Sequence, residues 1–313
     1  VEVFRRVLGS DWSEKMDHVI RYAMLALLNI PNSSILSLRK LLTDDEYRET
    51  VLQRVDDEQV RRFWQEEFVA RRKEFEEGTI SRILNRLDHL LATEMVRNII
   101  GQPMNLFNFR EFMDTRKIVL MKVSKGILGG ENASFLGSLI IGKVFEAAMS
   151  RADIPLESRQ DFYFYIDEFQ NFATESFGEI LSESRKYRLC LTFANQYLGQ
   201  LPEDIRLTIF GNVGNILSFR VGGNDAAAMA TEFQPRFEGE DLMNLPDREF
   251  YLKMSIDGEM QEAFSGRTLD RYVPKDGDHV AHECIKHSRA QYSLPLEQAT
   301  EALAASARAE EQP

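Results

Sequence analysis

The sequence predicts an α/β protein: a helical first part, then strands alternating with helices. Three observations carry this. From Asp11 to about Gly101 apolar residues recur at three- and four-residue spacing between charged ones, and no alternating run appears. From Lys117 the period changes to short apolar runs separated by helical stretches, the arrangement of a mostly parallel sheet covered on both faces. With 313 residues, 43% hydrophobic and 28% charged, the chain is long enough for a sizeable core, which excludes disordered and collagen-like classes.

In chain order, Ser13 and Glu14 open a helix that ends before Pro31, and further helices are expected at about Ser34–Leu42, Asp44–Val55, Asp57–Glu77 and Thr79–Ile100. The long fourth helix carries Val60, Phe63, Trp64 and Phe68 on one side, and the charges of EEFVARRKEFEE form a solvated face. Ile118–Val123 (IVLMKV) reads as a buried strand, Lys125–Glu131 as a glycine-rich loop, and Ala133–Arg151 as an apolar helix. Phe162–Ile166 (FYFYI) is a second buried strand, followed by a helix that Ser176 and Glu179 could cap as a box. More strands are expected at Leu189–Ala194, Asn215–Val221 and Glu249–Ile256, and an Ala/Glu-rich terminal helix that frays. The apolar stretches Tyr22–Ile30 and Phe135–Phe145 are too short or too interrupted for a membrane span.

The formal charge is −12, from 38 Lys and Arg against 50 Asp and Glu, which argues against a surface that coats a polyanion but leaves room for a basic channel lining. Two cysteines, Cys190 and Cys284, do not make a disulfide framework and point to a reducing compartment.

The chemistry concentrates where FYFYI runs out in Asp167–Glu168. Ligands of open α/β sheets bind at the carboxyl ends of strands. A nucleoside triphosphatase needs one carboxylate there to orient Mg²⁺ through water and a second to polarise the attacking water. Asp167 suits the first role and Glu168 the second; the alternative is a pair making helix-cap bonds. The strand Leu189–Ala194 ends in Asn195–Gln196 at the same edge, where Gln196 could sense a γ-phosphate, as between neighbouring strands of a RecA-like core. The alternative for Asn195 is a helix N-cap.

With these residues in place the chain resembles the C-terminal part of the type IV secretion coupling proteins, the TraD- and TraG-like members of the HerA/FtsK superfamily of hexameric P-loop DNA-translocating ATPases. The stretches that carry the resemblance are NRLDHLLATEMVRNIIGQ, KIVLMKVSKGILGGENASFLGSLI, FYFYIDEFQNFATESFGEILSESRKYRLCLTFANQYLGQL and IFGNVGNILSFRVGGNDA, within about Ser13–Thr268. It implies an all-α inserted domain with flanking core residues over 1–110, the later strands of a RecA-like ATPase core over 111–270, and a helical, partly disordered tail over 271–313. It further implies that Asp167 is the Walker B metal-orienting residue, Glu168 the catalytic base and Gln196 the sensor, with Asn195 beside the nucleotide and ATP and Mg²⁺ as cofactors. Implied partners are DNA, further copies of the chain in a homo-hexamer, and relaxase or secretion-channel proteins, in the cytoplasm or at the inner membrane through a segment outside this chain.

The phosphate loop of such motors, GxxxxGK[ST], is not matched. The nearest stretch, GSLIIGKV from Gly137 to Val144, lacks the hydroxyl, the tight turn and a preceding strand, and reads as a packed helix. The resemblance therefore implies that the loop and the first strand lie before Val1, as a start at Val suits, and that this chain alone does not hydrolyse ATP. Arg185 is a candidate to reach a neighbouring subunit's site, with an ordinary charge at a helix C-terminus as the alternative; Arg220 is a weaker one that could simply pair with a carboxylate. Lys122, Lys125 and the loop Gly126–Gly130 could face a channel and grip DNA phosphates, or be a surface loop. His279, His282, Cys284 and His287 resemble a metal cluster, but on one helix they cannot all converge. Two other functions stay open on the residues alone: a metal-dependent nuclease or phosphohydrolase using Asp167, Glu168 and the tail histidines, and a non-enzymatic helical adaptor.

Overall fold

Capping side chains set the first helices of the computed structural model, which describes residues 1, 3–5, 9–102, 104–174 and 177–309. The chain divides into two units. One comprises Val1–Phe112, Ile118–Lys143 and the described residues from Ala281 on; the other comprises Met113–Lys117 and Val144–Val280.

In the first unit α1 (Glu14–Leu27) starts at Ser13, whose hydroxyl accepts from the Met16 N–H at 3.3 Å. α2 (Ile35–Thr43) starts at a capping box of Ser34 and Ser37, and α3 (Asp45–Leu52) at Asp44. α4 (Glu58–Arg62) is capped by Asp57 but does not run on as the one regular helix expected over 57–77. Two π-helical segments, Phe63–Glu67 and Phe75–Ile80, interrupt it. Their wider turns let Phe63, Trp64, Phe68 and Phe75 all face the core, each at most 3% exposed. Val19, Ile20, Leu38, Leu41 and Val51 complete that core. The outer face carries ion pairs, Arg62–Glu66, Arg71–Glu74 and Arg72–Glu76, as the charge run predicts.

The expected helix over 79–100 is two, α5 (Ser81–Ala92) and α6 (Glu94–Ile100), separated by extended Thr93. Leu90 and Val96 bury against Phe135 and Leu136. The strand expected at Ile118–Val123 is not formed: the run has no ladder partner among the described residues, and Ile118 and Leu120 are each 90% exposed. All of the expected glycine loop except Gly129 is helical: α7 (Lys125–Leu128) ends at Gly129, with φ +82°, and the next helix begins at Gly130. α8 (Gly130–Ser150) holds all of GSLIIGKV inside one continuous helix. With the turn after it, this helix is 24 residues long and apolar enough to cross a membrane by length and composition, which the stretch Phe135–Phe145 did not suggest; 44% of its apolar window is buried.

In the second unit β1 (Phe162–Ile166) and β2 (Leu189–Phe193) pair in parallel, Phe162 opposite Leu189 and Ile166 opposite Phe193. Tyr163 and Tyr165 are exposed, so β1 is not the fully buried strand expected. α9 (Phe177–Glu183) lies between the strands; Ser176, half of the expected cap, falls outside the described residues. Phe169, Phe177 and Phe193 pack together with ring centres 4.2–5.7 Å apart. After α10 (Glu203–Asn212) come β3 (Ile216–Ser218), α11 (Gly223–Phe233), α12 (Gly239–Met243), β4 (Glu249–Lys253), β5 (Ser255–Ile256), β6 (Glu259–Met260) and β7 (Phe264–Arg267).

These later strands correct the expectation of a mostly parallel sheet. The parallel relation holds for β1–β2; β3–β4–β7 and β5–β6 are antiparallel. For β5–β6 and β4–β7 the cause lies in the turn Asp257–Gly258, where φ is +53° and +84°, the Asp-Gly combination that closes a tight hairpin and reverses the chain.

α13 (Gly277–Tyr292) and α14 (Leu296–Ala309) end the described chain. The Gln102 side-chain amide donates to the Ala299 carbonyl at 3.2 Å, and the Ser306 hydroxyl to the Asn32 carbonyl at 3.1 Å, so α14 is fastened to the helical unit. The fraying expected of the extreme end falls outside the described residues.

Candidate functional site

The parallel register of β1 and β2 brings Asp167–Glu168 and Asn195–Gln196 to one end of the strand pair. The chain leaves β1 through a turn locked to β2: the Ala194 N–H donates to the Ile166 carbonyl and the Phe169 N–H to the Ala194 carbonyl, both at 2.9 Å. Inside that turn Glu168 takes left-handed backbone angles, φ 51° and ψ 43°. A residue with a Cβ pays about 1–2 kcal/mol for that conformation, so the surroundings must hold it. Asn171 does so, donating its backbone N–H and its side-chain amide to the Glu168 carbonyl, each at 3.0 Å.

The side chains then diverge. Asp167 is exposed, with Oδ1 accepting from the Glu168 N–H at 2.9 Å. Glu168 is half-buried, and each of its carboxylate oxygens receives an amide: Oε1 from Gln196 Nε2 at 2.8 Å and Oε2 from Gln170 Nε2 at 2.7 Å. The structure thus joins Glu168 and Gln196 across two strands. Asn195 is half-buried beside them and caps no helix; the next turn, Leu198–Gln200, has Tyr197 at its N-cap position. The loop after Gln196 is tied down by Asp225 of α11, which is 9% exposed and accepts from the Leu198 N–H at 2.8 Å.

Among the described residues no three His, Cys, Asp or Glu side chains converge as a metal cage. A single exposed carboxylate suits Mg²⁺, which keeps most of its waters and takes one or two carboxylates plus substrate phosphates. Asp167 is an exposed carboxylate at this edge.

Other candidates lie apart. Arg185 is exposed in the 3₁₀ turn Ser184–Tyr187 after α9, at the amino end of β2, whereas Glu168 sits at the carboxyl ends. Five residues of strand, roughly 13 Å even before the flanking loops, separate the two ends. Within one chain Arg185 therefore does not join the acidic pair. Arg220 pairs with Asp247 at 2.9 Å, the plain carboxylate partner anticipated for it. Lys122 is exposed in the unpaired run, and Lys125 opens α7. His279, His282, Cys284 and His287 lie along α13, with no metal-binding group among the described residues.

Sequence reasoning missed Gln170 and Asp225. Gln170 had a readable signal, an amide two residues after the acidic pair, but its reach to Glu168 depends on the left-handed turn. Asp225 stands in GGNDA, where it reads as an ordinary first-turn acid.

With this geometry in hand, comparison with known proteins is specific. Residues 161–232, from just before β1 through α11, match the family model described as the TraM recognition site of TraD and TraG. Among solved structures, the chain is similar to the bacterial conjugative coupling protein TrwBdeltaN70 in an unbound monoclinic form. That match has a TM-score of 0.59 at 14% identity, covering 86% of this chain and 67% of that one. It is similar also to TrwB in complex with the non-hydrolysable GTP analogue GDPNP, with a TM-score of 0.57 at 13% identity over 87% of this chain and 69% of the other. A third structure, TrwB with the ATP analogue ADPNP, gives a TM-score of 0.58 at 12% identity, covering 88% and 68%. No curated protein matches. At these identities the structures establish a shared fold, and the sequence match falls on the strand pair that carries the candidate site. The chain thus shares its fold with these coupling-protein structures, and over residues 161–232, which include that strand pair, it is similar to TraD and TraG.

Proposed function

We propose that the chain supplies the catalytic acidic pair and sensor of an ATP-driven conjugative DNA-transfer ATPase. The observation that carries this reading is the Glu168 carboxylate, held at the end of a parallel strand pair with Gln196 of the neighbouring strand on one oxygen at 2.8 Å. In this reading Glu168 accepts a proton from the water that attacks the γ-phosphorus, the bond to the β-phosphate oxygen breaks, and ADP and phosphate leave. Gln196 holds that water and registers the γ-phosphate. Asp167 would hold a Mg²⁺ ion, which when bound would neutralise charge developing on the phosphate oxygens. Asn195 lines the nucleotide. The solved TrwB complexes with GTP and ATP analogues support the nucleotide part of the proposal.

Arg185, at the far end of β2, acts in a neighbouring subunit of a homo-hexamer, where such an arginine contributes about 10³–10⁵ in rate. Lys122 and Lys125 grip DNA phosphates along the channel. Partners beyond DNA are proteins of the transfer complex, a TraM-type protein for the segment 161–232 among them. The protein works at the cytoplasmic side of the membrane.

The test is DNA-stimulated ATP hydrolysis by the protein made from its complete coding sequence. Glu168→Gln is expected to lower turnover by about 10²–10⁴-fold with nucleotide binding unchanged, and unaltered turnover overturns the proposal. Metal-dependent DNA cleavage without ATP would favour the nuclease reading instead.

A further inference from the structure

Glu168 presents two carboxylate oxygens, and the structure puts one amide donor on each. Gln196 reaches Oε1 from the other strand, while Gln170 reaches Oε2 at 2.7 Å from the same turn as Glu168. One donor alone would leave the carboxylate free to rotate about its last bond. Donors on both oxygens fix its plane and still leave a lone pair on each oxygen for a substrate water.

The two donors differ in how firmly they are held. Gln196 is exposed, at the end of β2. Gln170 is half-buried within the 3₁₀ turn Phe169–Asn171. The turn itself does not need the bond from Gln170 to Glu168. Its backbone is secured by Asn171 on the Glu168 carbonyl and by Phe169 on the Ala194 carbonyl. The Gln170 amide is therefore a contact of the carboxylate beyond the bonds that close the turn.

We infer that Gln170 is a positioning residue for the catalytic carboxylate: it keeps Glu168 aimed when Gln196 exchanges its bond for contacts to water or the γ-phosphate. The inference rests on the reading of Glu168 as the base. An aim lost by even about 1 Å can cost on the order of 100-fold in rate. The loss belongs on kcat, because Gln170 touches the base and not the nucleotide.

The experiment uses the protein from its complete coding sequence and follows steady-state ATP hydrolysis, with thermal midpoints recorded for every variant. Gln170→Met keeps the side chain's length and removes the donor; it should lower kcat by about 10- to 100-fold with KM within twofold of wild type. Gln170→His returns an N–H near the same reach and should recover much of the loss. In a Glu168→Gln background the Met substitution should cost nothing further. Turnover by Gln170→Met within twofold of wild type overturns the inference. So does a loss that falls on KM, or an equal loss in the Met and His variants, which would mark a packing role. If Glu168→Gln itself turns over normally, the base assignment fails and this inference with it. If Glu168→Gln is inactive while Gln170→Met is normal, this inference alone fails.

Discussion

The left-handed backbone of Glu168 can be tested without any activity measurement, by comparing Glu168→Ala with Glu168→Gly. Both variants lose the same two amide bonds to the carboxylate, so those terms cancel in the comparison. What differs is the Cβ. At φ 51°, ψ 43° alanine bears a penalty of about 1–2 kcal/mol that glycine escapes. Against this, glycine adds about 0.4–1 kcal/mol of chain entropy to the unfolded state. The net expectation is that the glycine variant is the more stable by about 0.5–1 kcal/mol, whereas at an ordinary backbone position alanine would win. With a urea dependence near 2 kcal/mol per molar, the midpoints should differ by roughly 0.3–0.5 M. The assay is urea unfolding followed by far-ultraviolet circular dichroism. Equal midpoints, or a more stable alanine variant, would refute a strained turn at the site.

Four further outcomes are expected. Trp64, 1% exposed in the helical core, should cost about 3–5 kcal/mol when replaced by Ala, read as a lower denaturation midpoint by fluorescence of the remaining Trp12. Arg151 is 0% exposed, pairs with Asp114 at 3.2 Å and donates to the carbonyls of Tyr187 and Gln160. Arg151→Met leaves those acceptors unmatched and should destabilise the second unit by about 3–5 kcal/mol, measured by circular dichroism. The Arg71 guanidinium, with the Lys15 ammonium, holds the Glu74 carboxyl down at about 2 against an ordinary 4.5. Because the folded value is the lower one, the stabilisation from this group is present above about pH 4.5 and is lost as pH falls through about 2; a side-chain NMR titration should show Glu74 moving up toward 4.5 in Arg71→Ala. Finally, burial pushes the Cys190 thiol up, while Cys284 is exposed on α13. Iodoacetamide should therefore modify Cys284 well before Cys190, and the reverse order by peptide mass spectrometry would contradict the placement of β2.

Much of the fold was legible because its signals are local. Ser13, Ser34, Asp44 and Asp57 each stand one residue before a helix and each accepts a backbone N–H there, so the starts of the first four helices could be read off the chain. The place of Asp167–Glu168 at the end of a parallel strand was legible for the same reason, since an apolar run that stops at two carboxylates marks where the strand ends. What escaped depends on contacts between distant residues or on details of turn geometry. The π-helical segments are invisible to a 3.6-residue period and become necessary only when four aromatic rings must share one core. Ile118–Val123 has every local property of a strand, but a strand exists only with a partner to bond, and local composition does not supply one. Asp257–Gly258 is a hairpin signal in the sequence that the reading of alternating strands and helices did not use, and it is the turn that folds β6 and β7 back antiparallel. Gln170 is the clearest case at the site, for its bond to Glu168 follows from one backbone angle that no composition rule predicts.

The two ends of the β1–β2 pair are organised by opposite chemistry, and this bears on how the site could work. At the amino ends Arg151, fully buried, binds the carbonyls of Gln160 and Tyr187, the residues that lead into each strand. Backbone carbonyls and a guanidinium make a fixed clamp, since removing either side would strand a buried polar group. At the carboxyl ends backbone bonds among Ile166, Ala194 and Phe169 hold the strands, while the Glu168 carboxylate is met by side-chain amides, and Gln196 is exposed. A bond of that kind can be exchanged for one to water or phosphate at little net cost, because donors and acceptors remain satisfied on both sides of the exchange. The strand backbones are thus held at both ends, and the Gln196–Glu168 contact is the exchangeable one. The sensor role proposed for Gln196 needs that arrangement: it can change partners only if the strands beneath it keep their register. Weakening the Arg151 clamp should therefore loosen the register and scatter Gln196 relative to Glu168, even though Arg151 lies a full strand length from the acidic pair.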